Sequence, residues 1–119
     1  MLAVRDTMPL EMVNGTDILT GQRSCKDDEE LEIMRESSRI VDNVVAKLQK
    51  FIRPGMKERD VAKKIVEFFE EDGVTQMSFS PIVASGPNGS MPHYSGGDRV
   101  IEENDIMILD LGGRWKSYC

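Results

Sequence analysis

Between Lys26 and Ile52, positions that suit a buried face return at alternating steps of three and four. Leu31, Met34, Ser38, Val41, Val45, Leu48 and Ile52 form the line, and Ile33, Ile40, Val44 and Phe51 widen it. Such a period belongs to an amphipathic helix with one side against a core. Asp27 and Glu30 are spaced as a capping pair, with Asp27 accepting the free amide hydrogens of the first turn. Asp28, Glu29 and Glu30 suit the positive end of the helix dipole, and Lys47 and Lys50 the negative end. Pro54-Gly55 stops the helix. A second helix is predicted from Lys57 to Glu71, with Val61, Ile65, Phe68 and Phe69 inward and Ala62 and Val66 beside them. The short Arg53–Met56 connection makes the two an antiparallel pair.

After Gly73 the pattern changes. Ser78–Ala84 is strand-like, with Pro81 confining it to an edge or a bulge. Ser85–Gly97 is punctuated by Gly86-Pro87-Asn88-Gly89 and Ser95-Gly96-Gly97 and reads as a loop. Asp98–Asp105 is a polar connection with room for a strand at Arg99–Ile101. Ile106–Leu111 is an apolar run of the kind buried on both faces of a sheet. Gly112-Gly113 then predicts a tight turn, and Trp115–Cys119 the start of a return strand. Before Arg23 the signals are weak: Leu10–Val13 and Asp17–Leu19 read as strand fragments or linker. Helices followed by strands with short loops make an α+β arrangement, two antiparallel helices packed on an antiparallel sheet.

The 119 residues, 39% hydrophobic, suffice for one core. A net charge of −6 argues against a nucleic-acid surface, which needs clustered cations. No apolar stretch approaches the ~20 residues of a membrane span, and the N-terminus lacks the apolar centre of a signal peptide. Cys25 and Cys119 show no metal-type spacing and read as free thiols in a reducing cytoplasm.

Two residues stand out chemically. Asp110 ends the apolar run, where a lone carboxylate is costly without a cation beside it. It is placed either to hold a hard cation or to accept backbone amides at the glycine turn. His93, the single histidine, lies in the loop Asn88–Tyr94. Taken alone it is a half-exposed loop histidine or a proton-transfer group. The acidic run Asp27–Glu30 is a solvated helix start, and Met77, Met91 and Met107 are packing residues rather than a copper site.

Together, Ser78–Tyr94 (with Ile82-Val83-Ala84-Ser85-Gly86 and Pro92-His93) and Ile106–Tyr118 (with Asp110-Leu111-Gly112) closely resemble the Xaa-Pro peptidases. These are the proline aminopeptidases and prolidases of the pita-bread metallopeptidase family. Lys26–Arg35 and Arg53-Pro54-Gly55-Met56 resemble the first helix of that catalytic domain and the turn after it. The resemblance implies a pita-bread fold, of which residues 23–119 are the first half, with 1–22 a linker or the remnant of an N-terminal domain. It implies that Asp110 is a metal ligand, that His93 is a catalytic residue contacting substrate and the tetrahedral intermediate, and that Phe79 lines the substrate pocket. It also implies two divalent metal ions in a longer parent (manganese, or cobalt or zinc) and a peptide substrate with proline second. The family's second Asp ligand falls just beyond Cys119, and its His and two Glu ligands further on. These 119 residues are therefore expected to bind metal weakly, to lack peptidase activity alone, and to self-associate or dissolve poorly through exposed apolar surface; a homo-oligomer is the expected state. Lys57 stands where the family often has Thr, which removes a helix cap. A non-catalytic pita-bread binding module and a creatinase-like hydrolase are the alternatives. Cytoplasmic location, with neither nucleic acid nor membrane as partner, completes the expectation.

Overall fold

The computed structural model describes residues 13–119. Its elements are helices α1 (Thr16–Ser24), α2 (Asp28–Phe51) and α3 (Glu58–Glu71), strand β1 (Ile82–Ser85), a 3-10 turn at Gly86–Ser90, and strand β2 (Met107–Asp110). The Leu10–Val13 piece lies outside the described residues except for Val13. Asp17–Leu19, expected as strand or linker, is part of α1, which spans the expected boundary between residues 22 and 23. None of its residues is buried, so no apolar face marked it in the sequence. Asn14 starts it by accepting from the amide (3.0 Å) and hydroxyl (2.6 Å) of Thr16.

Helix α2 opens with the expected capping box. The Glu30 amide donates to Asp27, and the Asp27 amide donates to Glu30. Its buried line is Ser37, Ile40, Val44 and Leu48, one step round from the predicted centre. Ser38, placed inward by the period, is exposed and donates its hydroxyl to the Met34 carbonyl. Helix α3 buries Val61, Ile65, Phe68 and Phe69 as expected. Lys57, at its N-cap, supplies no side-chain cap. Phe51, the last residue of α2, meets Phe68 of α3 edge to face at 5.9 Å.

Strands β1 and β2 pair antiparallel, with Ile82 opposite Asp110, Val83 opposite Leu109, Ala84 opposite Ile108 and Ser85 opposite Met107. β1 is shorter than predicted and begins after Pro81, which cannot donate to a ladder. Residues alternate between faces. Val83 is fully buried in the helical core, and Met107 and Leu109 pack against that core. On the other face Ile108 is 47% exposed, and neighbouring Ile106 83%. The expectation of a strand buried on both faces is therefore corrected. The helices cover one side only, and Asp110 is exposed on the other.

Gly112-Gly113 is not a turn either; neither residue has a positive φ. The chain runs on beside Gln76–Ser78, with the Ser78 amide donating to Gly112 and the Arg114 amide to Gln76. A Cβ at Gly113 would lie 2.8 Å from both Phe69 and Val74, so this glycine allows backbone to touch core. The turn comes at Trp115–Tyr118, which exchange backbone hydrogen bonds of 2.7 and 2.8 Å. Lys116 (φ 44°) and Ser117 (φ 72°) give it the twist of a tight hairpin. The Tyr118 hydroxyl donates to Glu30, tying this hairpin to the start of α2. Arg99–Ile101 makes one bridge, Val100 to Lys57, in place of a strand. No helix among the described residues is long and apolar enough to cross a membrane.

Candidate functional site

The exposed face of the β pair is bordered by the loop that follows β1. Phe79, His93 and Asp110 line one cleft there, of about 540 Å³, together with Pro81, Ile82 and Tyr94. His93 and Asp110 also border a smaller recess of about 290 Å³ with Ile108 and Met91. Register puts Asp110 on this face: it lies opposite Ile82, at the end of β2. Phe79 is held beside the chain just past Asp110, since a Cβ at Gly112 would sit 3.3 Å from its ring. The three residues singled out in the sequence thus share one concavity, although they come from three segments.

His93 is exposed and has φ 57°, in the left-handed region. For a residue with a Cβ this conformation costs about 1–2 kcal/mol. Residues on either side of it, Asn88 and Tyr94, both bond to Glu58.

Glu58 is the first residue of α3 and is fully buried. One carboxylate oxygen accepts from the Ser85 amide (2.6 Å) and hydroxyl (2.7 Å). The other accepts from the Tyr94 hydroxyl at 2.7 Å. The Asn88 side-chain amide lies 3.1 and 3.0 Å from the two oxygens and 2.9 Å from the Tyr94 hydroxyl. Burial is the largest influence on this carboxyl and opposes its charge. The hydrogen bonds from Ser85, Tyr94 and Asn88 outweigh it and hold the pKa below the ordinary 4.5. The positive end of the α3 dipole favours the same charge state.

The helix start grips the other end of the loop as well. The Glu58 amide donates to Arg99 (3.1 Å), and the Arg59 amide to Gly97 (3.2 Å). Arg99 pairs with Asp105 at 2.5 Å and donates to the Ser85 hydroxyl at 2.6 Å. Asp105, Arg99, Ser85, Glu58 and Tyr94 form one continuous polar chain beneath the loop.

Glu58, Ser85, Asn88 and Tyr94 were not picked out from the sequence. A signal was present for Glu58, which extends the Val61, Ile65, Phe68 line one step toward the helix start. Asn88 and Tyr94 carried none beyond turn composition and adjacency to His93.

As a metal centre the described residues are incomplete. Asp110 offers one exposed hard-oxygen donor, suited to a divalent cation. Among the described residues no three His, Cys, Asp or Glu side chains converge as a ligand set. One carboxylate does not hold a metal pair, so these residues alone do not fit a two-metal centre.

Comparison with known proteins gives a consistent result. The sequence pattern of metallopeptidase family M24 matches residues 32–119. A probable dipeptidase PepE of Mycobacterium bovis is 36% identical over 115 residues, which are 97% of this chain and 30% of that protein. The crystal structure of dipeptidase PepE from Mycobacterium ulcerans superposes with a TM-score of 0.88 at 32% identity, covering 97% of this chain and 31% of that one. The prolidase from Pyrococcus furiosus gives a TM-score of 0.78 at 32% identity, covering 84% and 30%. The chain spans about 30% of the length of these relatives.

Proposed function

The chain belongs to metallopeptidase family M24, and on that premise we propose that it is part of the catalytic domain of an Xaa-Pro peptidase. Its α+β arrangement is that of the first part of the pita-bread fold seen in the prolidases it superposes on. The observation that carries the reading is the convergence of Phe79, His93 and Asp110 on one cleft. The cleft has an apolar wall at Phe79, Pro81 and Ile82, suited to a proline ring, and polar groups at its other side.

In this reading Asp110 is one carboxylate ligand of a divalent metal pair, manganese or else cobalt or zinc, completed by residues of a longer polypeptide. Metals bound there would supply an activated water at neutral pH. His93 would direct an imidazole N–H at the oxygen that gains charge as the peptide carbonyl becomes tetrahedral. Phe79 would bound the pocket. The substrate is a peptide with proline second.

A non-catalytic peptide-binding module is the second reading, since the apolar wall at Phe79, Pro81 and Ile82 could seat a peptide without any metal. The test separates them. The 119 residues should take up manganese weakly in calorimetric titration and leave an Xaa-Pro dipeptide intact. A polypeptide containing this chain at the length of its relatives should cleave Xaa-Pro over Xaa-Ala dipeptides, and His93→Ala should lower kcat at least a hundredfold. A folded, metal-supplied polypeptide of that length that binds the dipeptide without cleaving it would establish the binding module instead.

A further inference from the structure

We infer that Glu58 is the positioning residue for His93: its buried carboxylate latches both flanks of the Asn88–Tyr94 segment and fixes where the imidazole stands at the cleft. The inference rests on the reading of His93 as the substrate-contacting group.

Asn88 stands before His93 and Tyr94 directly after it, and both bond to Glu58 and to each other. The segment is therefore closed into a ring with the carboxylate as its hub. His93 sits on that ring in a backbone conformation that a non-glycine residue avoids when free. Its immediate neighbour is held by a 2.7 Å bond to a charged acceptor, a short and strong kind. Glu58 is itself fixed, being on a helix whose next turns are core and bonded to the end of β1 through Ser85. Beneath it, Arg99 and Asp105 continue the polar chain. The loop is thus referenced both to α3 and to β1, and β1 lines the cleft through Ile82. Glu58 touches no substrate in this arrangement; it acts through Asn88 and Tyr94.

His93 is the sole histidine, so its ring protons give unambiguous NMR signals. Tyr94→Phe removes one hydroxyl from a half-buried side chain, and Glu58→Gln removes the charge while keeping the shape. In both, amide exchange across residues 86–97 should rise at least tenfold, and the His93 ring signals should move toward those of a free histidine. Exchange in α2 and in the later turns of α3 should stay within twofold. A role confined to general stability would move helix and loop together and leave the ring signals in place. If Glu58→Gln does not fold, Tyr94→Phe and Asn88→Ala decide. Folded variants with unchanged loop exchange and unchanged His93 signals would overturn the inference. No readout requires activity, so a failed peptidase assay leaves this test intact, and a failed latch leaves the peptidase reading intact.

Discussion

The two faces of the β1–β2 pair are built from alternate residues of the same eight positions, yet they obey different rules. On the helix side Val83 is buried, Met107 and Leu109 pack against the core, and Ser85 gives both its amide and its hydroxyl to Glu58. On the cleft side Ile108 is half exposed and Asp110 is exposed. The first face is closed, with every polar group spoken for; the second keeps a carboxylate and apolar surface accessible. The contrast shows what a two-residue period can separate: residues committed to the core on one side, accessible residues on the other. If that division is right, sensitivity to substitution should follow the face and not the distance along the chain.

The largest effect belongs to Glu58. Glu58→Ala strands the buried Ser85 amide and removes the acceptor for Tyr94 and Asn88, and should cost about 2–4 kcal/mol in urea unfolding. The pH dependence has a definite sign. The folded pKa lies below 4.5, so the stabilisation is complete above 4.5 and is lost as pH falls through the lowered folded value. The groups facing this carboxyl are Tyr94, with a raised pKa, and Arg99, itself paired with Asp105. Both keep their protons across that window; Asp105, held below its ordinary 3.8 by Arg99, is the other carboxyl of the cluster that titrates in acid, and it remains in the variant. Glu58→Ala should therefore flatten the acid limb of the stability curve. An unchanged acid limb would show that the closed face does not depend on this carboxylate.

Next comes Gly113→Ala. The added methyl would meet Phe69 and Val74 at 2.8 Å, and both are inside the core, where neither can yield cheaply. Overpacking of this kind should cost about 1–3 kcal/mol, read as a lower urea midpoint at constant slope. Loss of less than that would mean that the segment after β2 is not seated on the helices as the structure has it.

These two positions also mark what could be read from the chain beforehand. The helix pair was legible because period, caps and breakers agree over many residues, and tertiary packing rewards the same face. The shift of the α2 stripe onto Ile40 and Val44 was not, because the apolar arc is wide enough for several centres. Asp110 was found for a reason that failed: the Ile106–Leu111 run looked uniformly apolar, so burial on both faces followed. Composition cannot say which face another element will cover, and here the helices cover only one. The Gly112-Gly113 pair misled in a similar way, because close approach to a core and a turn call for the same residue. Glu58 hid behind a generic role, an acid at a helix start, although its place on the buried stripe gave it away. The convergence of Phe79, His93 and Asp110 depends on the loop path, along which Asn88 and Tyr94 donate to Glu58, and no local pattern encodes that path.

The smallest effect on stability should come from the residue with the greatest chemical interest. Asp110→Asn keeps the size of an exposed side chain at a strand end, and the stability change should stay within about 0.5 kcal/mol. Metal affinity is where it should register. In a polypeptide of the relatives' length, removing one anionic ligand from a hard-cation site should weaken manganese binding at least tenfold, measured by calorimetric titration. A destabilisation comparable to that of Glu58→Ala would mean that Asp110 is structural and that the open face is scaffold too. An unchanged fold with lost metal would set the two faces apart by the property that matters, since only one of them would tolerate a change of charge without a change of shape.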